Sequence, residues 1–133
     1  MSLRAEGMIE TKSWEENAYR EANSGPKFTR ASVDVSFRGD IEGEGAEEYL
    51  MVYTGDDSAN FVGLERVDGS VGDRSGGFVI QHNGTFLDGR LKSEWFLVPG
   101  SGTEELRGLR GEGIYINDGG EPQTAYTPDY DFE

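Results

Sequence analysis

The stretch Phe78-Val79-Ile80-Gln81-His82-Asn83-Gly84-Thr85-Phe86-Leu87-Asp88-Gly89-Arg90-Leu91-Lys92-Ser93-Glu94-Trp95-Phe96-Leu97 decides the fold. Phe78, Ile80 and Phe86 fall in step with His82 and Gly84, and Leu91, Trp95 and Leu97 fall in step with Ser93. A period of two belongs to a strand with one buried face, whereas a helix repeats every 3.6 residues. Asn83-Gly84 and Asp88-Gly89 compete for the turn, since both suit a two-residue hairpin. A turn at Asn83-Gly84 would leave Thr85 to Leu87 as a stub and break the alternation. A turn at Asp88-Gly89 sets Leu87 against Arg90, Phe86 against Leu91, Gly84 against Ser93, His82 against Trp95 and Ile80 against Leu97. Every inward residue then meets an inward residue, so the hairpin is expected at Asp88-Gly89.

The alternation extends in both directions. It runs through Val33, Val35 and Phe37, then Tyr49, Met51 and Tyr53, then Phe61, Gly63, Glu65 and Val67. Ile114 and Ile116 follow, and Tyr126, Pro128, Tyr130 and Phe132 close the chain. With an N-terminal strand around Ala5 to Trp14, the total is about eight, near the number at which a closed barrel holds only side chains or one small ligand. The expected fold is all-β: a single closed antiparallel barrel over residues 1–133. Pro99 to Thr103 reads as a loop leading into one helical turn, Glu104-Glu105-Leu106-Arg107, stopped by Gly108. Asp68 to Gly76, Glu15 to Pro26 and Asn117 to Gln123 read as further loops or turns.

Composition narrows the partners. The 133 residues carry 26 acidic against 12 basic side chains, a formal charge of −14. Such a field repels polyanions, so neither nucleic acid nor an anionic membrane is expected as a partner. With no cysteine and one histidine, no metal site and no cofactor is expected. The N-terminus lacks a signal-peptide pattern and no apolar run suits a membrane span, so a cytoplasmic location is expected. Glu15, Glu16, Glu21, Asp56, Asp57, Asp118, Asp129 and Asp131 fall in loops, termini or the outward alternation.

The registers also predict a site. A loop of Gly55 to Ala59 sets Tyr53 opposite Phe61, Met51 opposite Gly63 and Tyr49 opposite Glu65. The next hairpin places Gly63 beside His82 and Glu65 beside Ile80. One inner row is then Met51, Gly63, His82 and Trp95, and the candidate ligand-binding residues are Tyr49, Met51, Tyr53, Phe61, Glu65, His82 and Trp95. Aromatic walls with one carboxylate and one imidazole suit a small-molecule pocket and acid–base chemistry. The competing reading is structural: His82 as a hydrogen-bonded core residue, Trp95 and Phe61 as packing, Glu65 satisfied by Tyr49. Glu65 has no evident inward acid partner beyond Glu47, and no nucleophile elbow, phosphate loop or calcium-loop spacing is present. On the opposite face Leu50, Val52, Val62 and Leu64 cluster, with Val79 nearby, which suggests covering by the chain's own loop or by another subunit, with a homo-oligomer through that surface preferred.

Four segments together carry a resemblance: Glu48-Tyr49-Leu50-Met51, Phe61-Val62-Gly63-Leu64-Glu65-Arg66, Gly77-Phe78-Val79-Ile80-Gln81-His82, and Val98-Pro99-Gly100-Ser101-Gly102-Thr103 continuing to Gly108-Leu109-Arg110-Gly111-Glu112-Gly113. With Gly25-Pro26-Lys27 and Thr29-Arg30-Ala31, they resemble an uncharacterised bacterial domain-of-unknown-function family over about Ala5 to Tyr130. That family is similar in fold to the allene oxide cyclase and dirigent barrels. The resemblance implies an eight-stranded antiparallel, calycin-like barrel with an interior, and it implies no activity.

Three functions follow as expectations. The first is binding of a small apolar or amphipathic molecule inside the barrel. The second is an enzyme of cyclase or isomerase type with Glu65 or His82 moving a proton. The third is a filled barrel acting as a protein-interaction module through its outer face.

Overall fold

A computed structural model describes residues 3–20, 26–55, 58–117, 123–126 and 129–132. The elements in chain order are β1 (Leu3–Arg4), β2 (Gly7–Arg20), β3 (Lys27–Gly39), β4 (Ile41–Gly55), β5 (Ser58–Val71), β6 (Arg74–Leu87) and β7 (Arg90–Leu97). A 3-10 turn at Glu104–Leu106 precedes β8 (Leu109–Asn117), β9 (Gln123–Tyr126) and β10 (Asp129–Phe132). All pairings are antiparallel. Among the described residues no helix is long and apolar enough to cross a membrane.

The expected closed barrel does not form. Hydrogen bonding runs in the single order β1-β10-β8-β7-β6-β5-β4-β3-β2-β9, leaving β1 and β9 as edges. The sheet is curled but open, with β9 lying beside β8. The reason is the divided seam. β2 to β6 are 13 to 15 residues long, whereas β1 has 2 residues and β9 and β10 have 4 each. β9 pairs with β2 while β10 pairs with β8, so no one strand carries a ladder across from edge to edge. Pro122 and Pro128 bracket β9 in the sequence and offer no amide donor to such a ladder.

The β6–β7 hairpin has the expected register. Leu87 pairs with Arg90, Gly84 with Ser93, His82 with Trp95 and Ile80 with Leu97. Asp88 and Gly89 have φ of 52° and 84°, the left-handed pair that a two-residue turn matched to strand twist requires. Gly63 beside His82 and Glu65 beside Ile80 are likewise observed.

The β4–β5 register differs from expectation by two residues. Met51 pairs with Phe61, Tyr49 with Gly63 and Glu47 with Glu65. The turn is tighter than the expected five-residue loop, and Tyr53–Ala59 and Gly55–Ser58 are added to the ladder. Backbone donors and acceptors gain partners that way. A shift of two keeps every side chain on its own face, so the hydrophobic alternation is blind to it. The loop expected from Asp68 to Gly76 also tightens: Val71 pairs with Arg74 across Gly72-Asp73. Glu15 to Arg20 continue β2 rather than turning. Residues 21–25, 56–57 and 118–122, parts of the expected loops, lie outside the described residues.

Inward side chains alternate with exposed ones along β3 to β7 as the sequence predicts, but on β8 the expected inward residues Ile114 and Ile116 are exposed, because Gly113, Tyr115 and Asn117 pair with the inward Trp95, Ser93 and Leu91. Along β3, Ala31, Val33, Val35 and Phe37 are buried between exposed or half-buried neighbours. One end of the interior is packed solid by Ile41, Val67, Val71, Phe78, Leu97 and Leu109. The loop between β7 and β8 seals that end. Ser101 Oγ accepts from Val79 N–H (3.0 Å) and Thr103 Oγ1 from Gly77 N–H (2.9 Å), strapping the loop to β6. The expected helical turn is in place, and it presses the fully buried Leu106 inward. On the outer face Leu50 pairs with Val62, and Leu50, Val62 and Leu64 are each about half exposed.

Candidate functional site

The unsealed half of the interior holds a cavity of about 410 Å³. Its walls come from the inner faces of β2 to β8. Of the expected ligand-binding residues, Tyr49, Met51, Tyr53, Glu65, His82 and Trp95 line it. Phe61 does not; it is buried against the edge of the Tyr49 ring, with centroids 5.1 Å apart. Trp14 stacks on Tyr49 at 6.3 Å and 26° and lines the cavity too, although it is half exposed.

The cavity's polar feature is built by three neighbouring strands. β4 places Glu47 inward, β5 places Glu65 directly opposite it, and β6 places His82 one step along the same face. Glu65 is 2% exposed and Glu47 9%. His82 Nε2 lies 2.8 Å from Glu65 Oε1 and 3.3 Å from Glu47 Oε2. On its other side Nδ1 lies 2.9 Å from Ser93 Oγ on β7. Both ring nitrogens are thereby engaged and the imidazole has a fixed orientation. The Tyr49 hydroxyl donates to Glu47 Oε2. Glu65 Oε2 is fully buried without a hydrogen-bond partner. Gly45 makes room for that oxygen, because a Cβ there would lie 2.5 Å from it.

Burial governs the electrostatics. Desolvation, reinforced by the facing Glu65 charge, raises the Glu47 carboxyl to about 8. Desolvation also raises Glu65 to about 8. Burial lowers His82 below the usual imidazole range, with Glu47 pulling the other way. Tyr49 is pushed well above the ordinary phenol range by burial and the adjacent carboxyls. Two facing carboxyls in an apolar wall cannot both ionise cheaply, so the group holds protons at neutral pH. It can donate and accept hydrogen bonds at adjacent points, pass a proton, or receive a cation.

Two acids outside the expected set belong to the site. Glu47 enters because of the two-residue shift between β4 and β5. Glu16, expected to face outward, is half buried at the cavity's rim, where its Oε2 accepts from Tyr53 (2.5 Å) and Thr29 (2.6 Å). Burial raises its carboxyl, but those hydroxyls, the Trp14 indole and Lys27 outweigh it and hold it below the usual range. The signal for Glu16 was available: it lies two residues from Trp14, on the same face of a strand.

Residues 5–130 match the family described as "Protein of unknown function (DUF3224)". No curated protein matches the chain. Among solved structures, it is similar to a DUF3224-family protein of unknown function from Shewanella oneidensis MR-1, determined at 1.84 Å. The two share 30% identity, the match covers 100% of this chain and 99% of that one, and the TM-score is 0.85.

Proposed function

The chain belongs to the DUF3224 family, whose description carries no activity, and we propose from the cavity's geometry that it binds a small, largely apolar molecule. The polar end of that molecule sits against Glu47, Glu65 and His82, with its apolar body along Met51, Tyr53 and Trp95. One observation carries the reading: a mostly apolar cavity of about 410 Å³ is lined by three buried, mutually bonded titratable groups. A core built only for stability has no use for that arrangement. Like charges directly opposite on paired strands are destabilising, and desolvating two carboxyls costs more than an apolar pair would.

The test is titration of chelator-treated protein with the neutral apolar fluorophore N-phenyl-1-naphthylamine, alongside native mass spectrometry of freshly purified material. Saturable binding of one probe per chain that raises Tm is expected. No saturable binding, together with a mass equal to the bare chain, overturns the reading.

The facing carboxyls favour a second reading, acid–base catalysis on the bound molecule, in which one carboxyl takes a proton while its neighbour supplies one. Glu65→Gln separates the two. A binder keeps probe affinity and has no turnover to lose, whereas an isomerase keeps affinity and loses turnover.

A further inference from the structure

We propose that Glu47, Glu65 and His82 form a binding site for one divalent transition-metal ion, with open coordination positions facing the cavity. The donor set is the first ground. Two carboxylates and an imidazole nitrogen suit the ions from manganese to zinc, whereas magnesium and calcium prefer all-oxygen surroundings.

Geometry is the second ground. The three ligand atoms lie within 4.8 Å of one another, and His82 Nε2 is 2.8 and 3.3 Å from its two carboxylate neighbours. An ion about 2.1 Å from each ligand spaces adjacent ligands about 3.0 Å apart in an octahedron and about 3.4 Å in a tetrahedron. The two spacings from His82 are therefore close to the edges of such a polyhedron.

The unmet demand of the cluster is the third ground. The Glu65 carboxyl is aimed at His82, is 2% exposed, and keeps Oε2 without a partner. Among the described residues no lysine or arginine lines the cavity to offset the paired carboxyls. A bound cation supplies the missing charge and a second contact for Glu65.

The outer partners are those a metal site uses. Ser93 Oγ on Nδ1 leaves Nε2 as the nitrogen facing the carboxylates, and the Tyr49 hydroxyl fixes Glu47. Ser93 is a positioning residue in this scheme and touches no ion. The inference rests on the cavity reading for what the ion would meet there, but not for the binding of the ion itself.

The experiment uses the metal alone. Chelator-stripped full chain is titrated calorimetrically with Mn²⁺, Zn²⁺, Mg²⁺ and Ca²⁺, without organic ligand. One Mn²⁺ or Zn²⁺ per chain is expected, with Mg²⁺ and Ca²⁺ at least about tenfold weaker. Ser93→Ala should weaken binding by about ten- to a hundredfold, and Glu65→Gln by more. Wild-type protein supplies a readout independent of variant folding: the chain has one histidine, so its imidazole resonances are unambiguous. Mn²⁺ at equimolar ratio should broaden the His82 ring signals before any others, and Zn²⁺ should shift the Nε2 resonance more than Nδ1. No transition-metal binding, or binding that leaves the His82 signals untouched, overturns the metal site. Fluorophore binding by metal-free protein alongside that result leaves the cavity reading standing. Metal binding without fluorophore binding removes the cavity reading and keeps the ion.

Discussion

Glu47 on β4 stands directly opposite Glu65 on β5, both buried, with His82 Nε2 within 3.3 Å of one and 2.8 Å of the other. Burial desolvates both carboxyls, and among the described residues no lysine or arginine in the cavity wall offsets them, so each protonates far above its ordinary range.

Stability of the metal-free protein should therefore fall as pH rises from about 5 to about 8. Both carboxyls go from an ordinary value of 4.5 to about 8 in the fold. Between those values the folded chain holds protons that the unfolded chain has released, and stability declines with pH wherever that is so. His82 acts in the opposite sense just below the ordinary imidazole value of 6.5, where the unfolded chain binds the extra proton. Two carboxyls against one imidazole leave a net decline. Tm measured with chelator across this range checks it, with Glu65→Gln as the control that flattens the slope. A Tm that rises from pH 5 to pH 8, or a slope unchanged in the variant, contradicts the assignment.

Ser93→Ala removes the hydroxyl 2.9 Å from His82 Nδ1 and leaves a buried ring nitrogen unpaired. A loss of about 1–3 kcal/mol is expected, read as a lower urea midpoint with unchanged m. A change below about 0.5 kcal/mol would mean that the bond contributes little.

Glycine-to-alanine substitutions at Gly84 and Gly89 should differ in size because their causes differ. A Cβ at Gly84 would sit against the Lys92 carbonyl and 2.5 Å from Phe61 Cζ, and overpacking of that kind costs about 1–3 kcal/mol. At Gly89 nothing lies within 4 Å, and the penalty is its φ of +84° alone, about 1–2 kcal/mol. If Gly89→Ala proved the costlier of the pair in chemical denaturation, the close approach at Gly84 would be wrong.

Leu106→Ala tests the seal. Leu106 is fully buried beneath the 3-10 turn and closes the packed end of the interior. Its truncation should cost about 2–5 kcal/mol and speed hydrogen exchange at the Gly77 and Val79 amides, which Thr103 and Ser101 hold. Unchanged exchange there would show that the loop is held by its hydrogen bonds and not by the plug.

Much of the fold was legible because it is local. Alternation along Ala31 to Phe37 and Phe78 to Phe86 assigned faces, and Asp88-Gly89 carried the backbone preference that fixed one hairpin register. Glu65 was legible as the acid out of place, since a carboxylate on an apolar face is visible without a partner. Glu47 was named only as the one candidate acid partner of Glu65, without a register that brought them together, and Ser93 only as the residue opposite Gly84, not as the partner of His82. Glu16 read as solvent-facing because the polar stretch around it looked like a turn, yet β2 runs through it.

The sequence by itself determined the inward apolar faces of β3 to β7, though not of β2 or β8, that the strands are antiparallel, and where the β6–β7 hairpin turns. These rest on period-two patterning and on the φ tolerance of two adjacent residues, both properties of a few neighbours in the chain. Tertiary structure alone decided how far β4 slides along β5, and so whether Glu65 meets Tyr49 or Glu47. It also decided that the sheet curls without closing. A two-residue slide preserves every face, and closure depends on which partners the short terminal segments find. Backbone pairing between distant strands settles both, and side-chain alternation is silent on each.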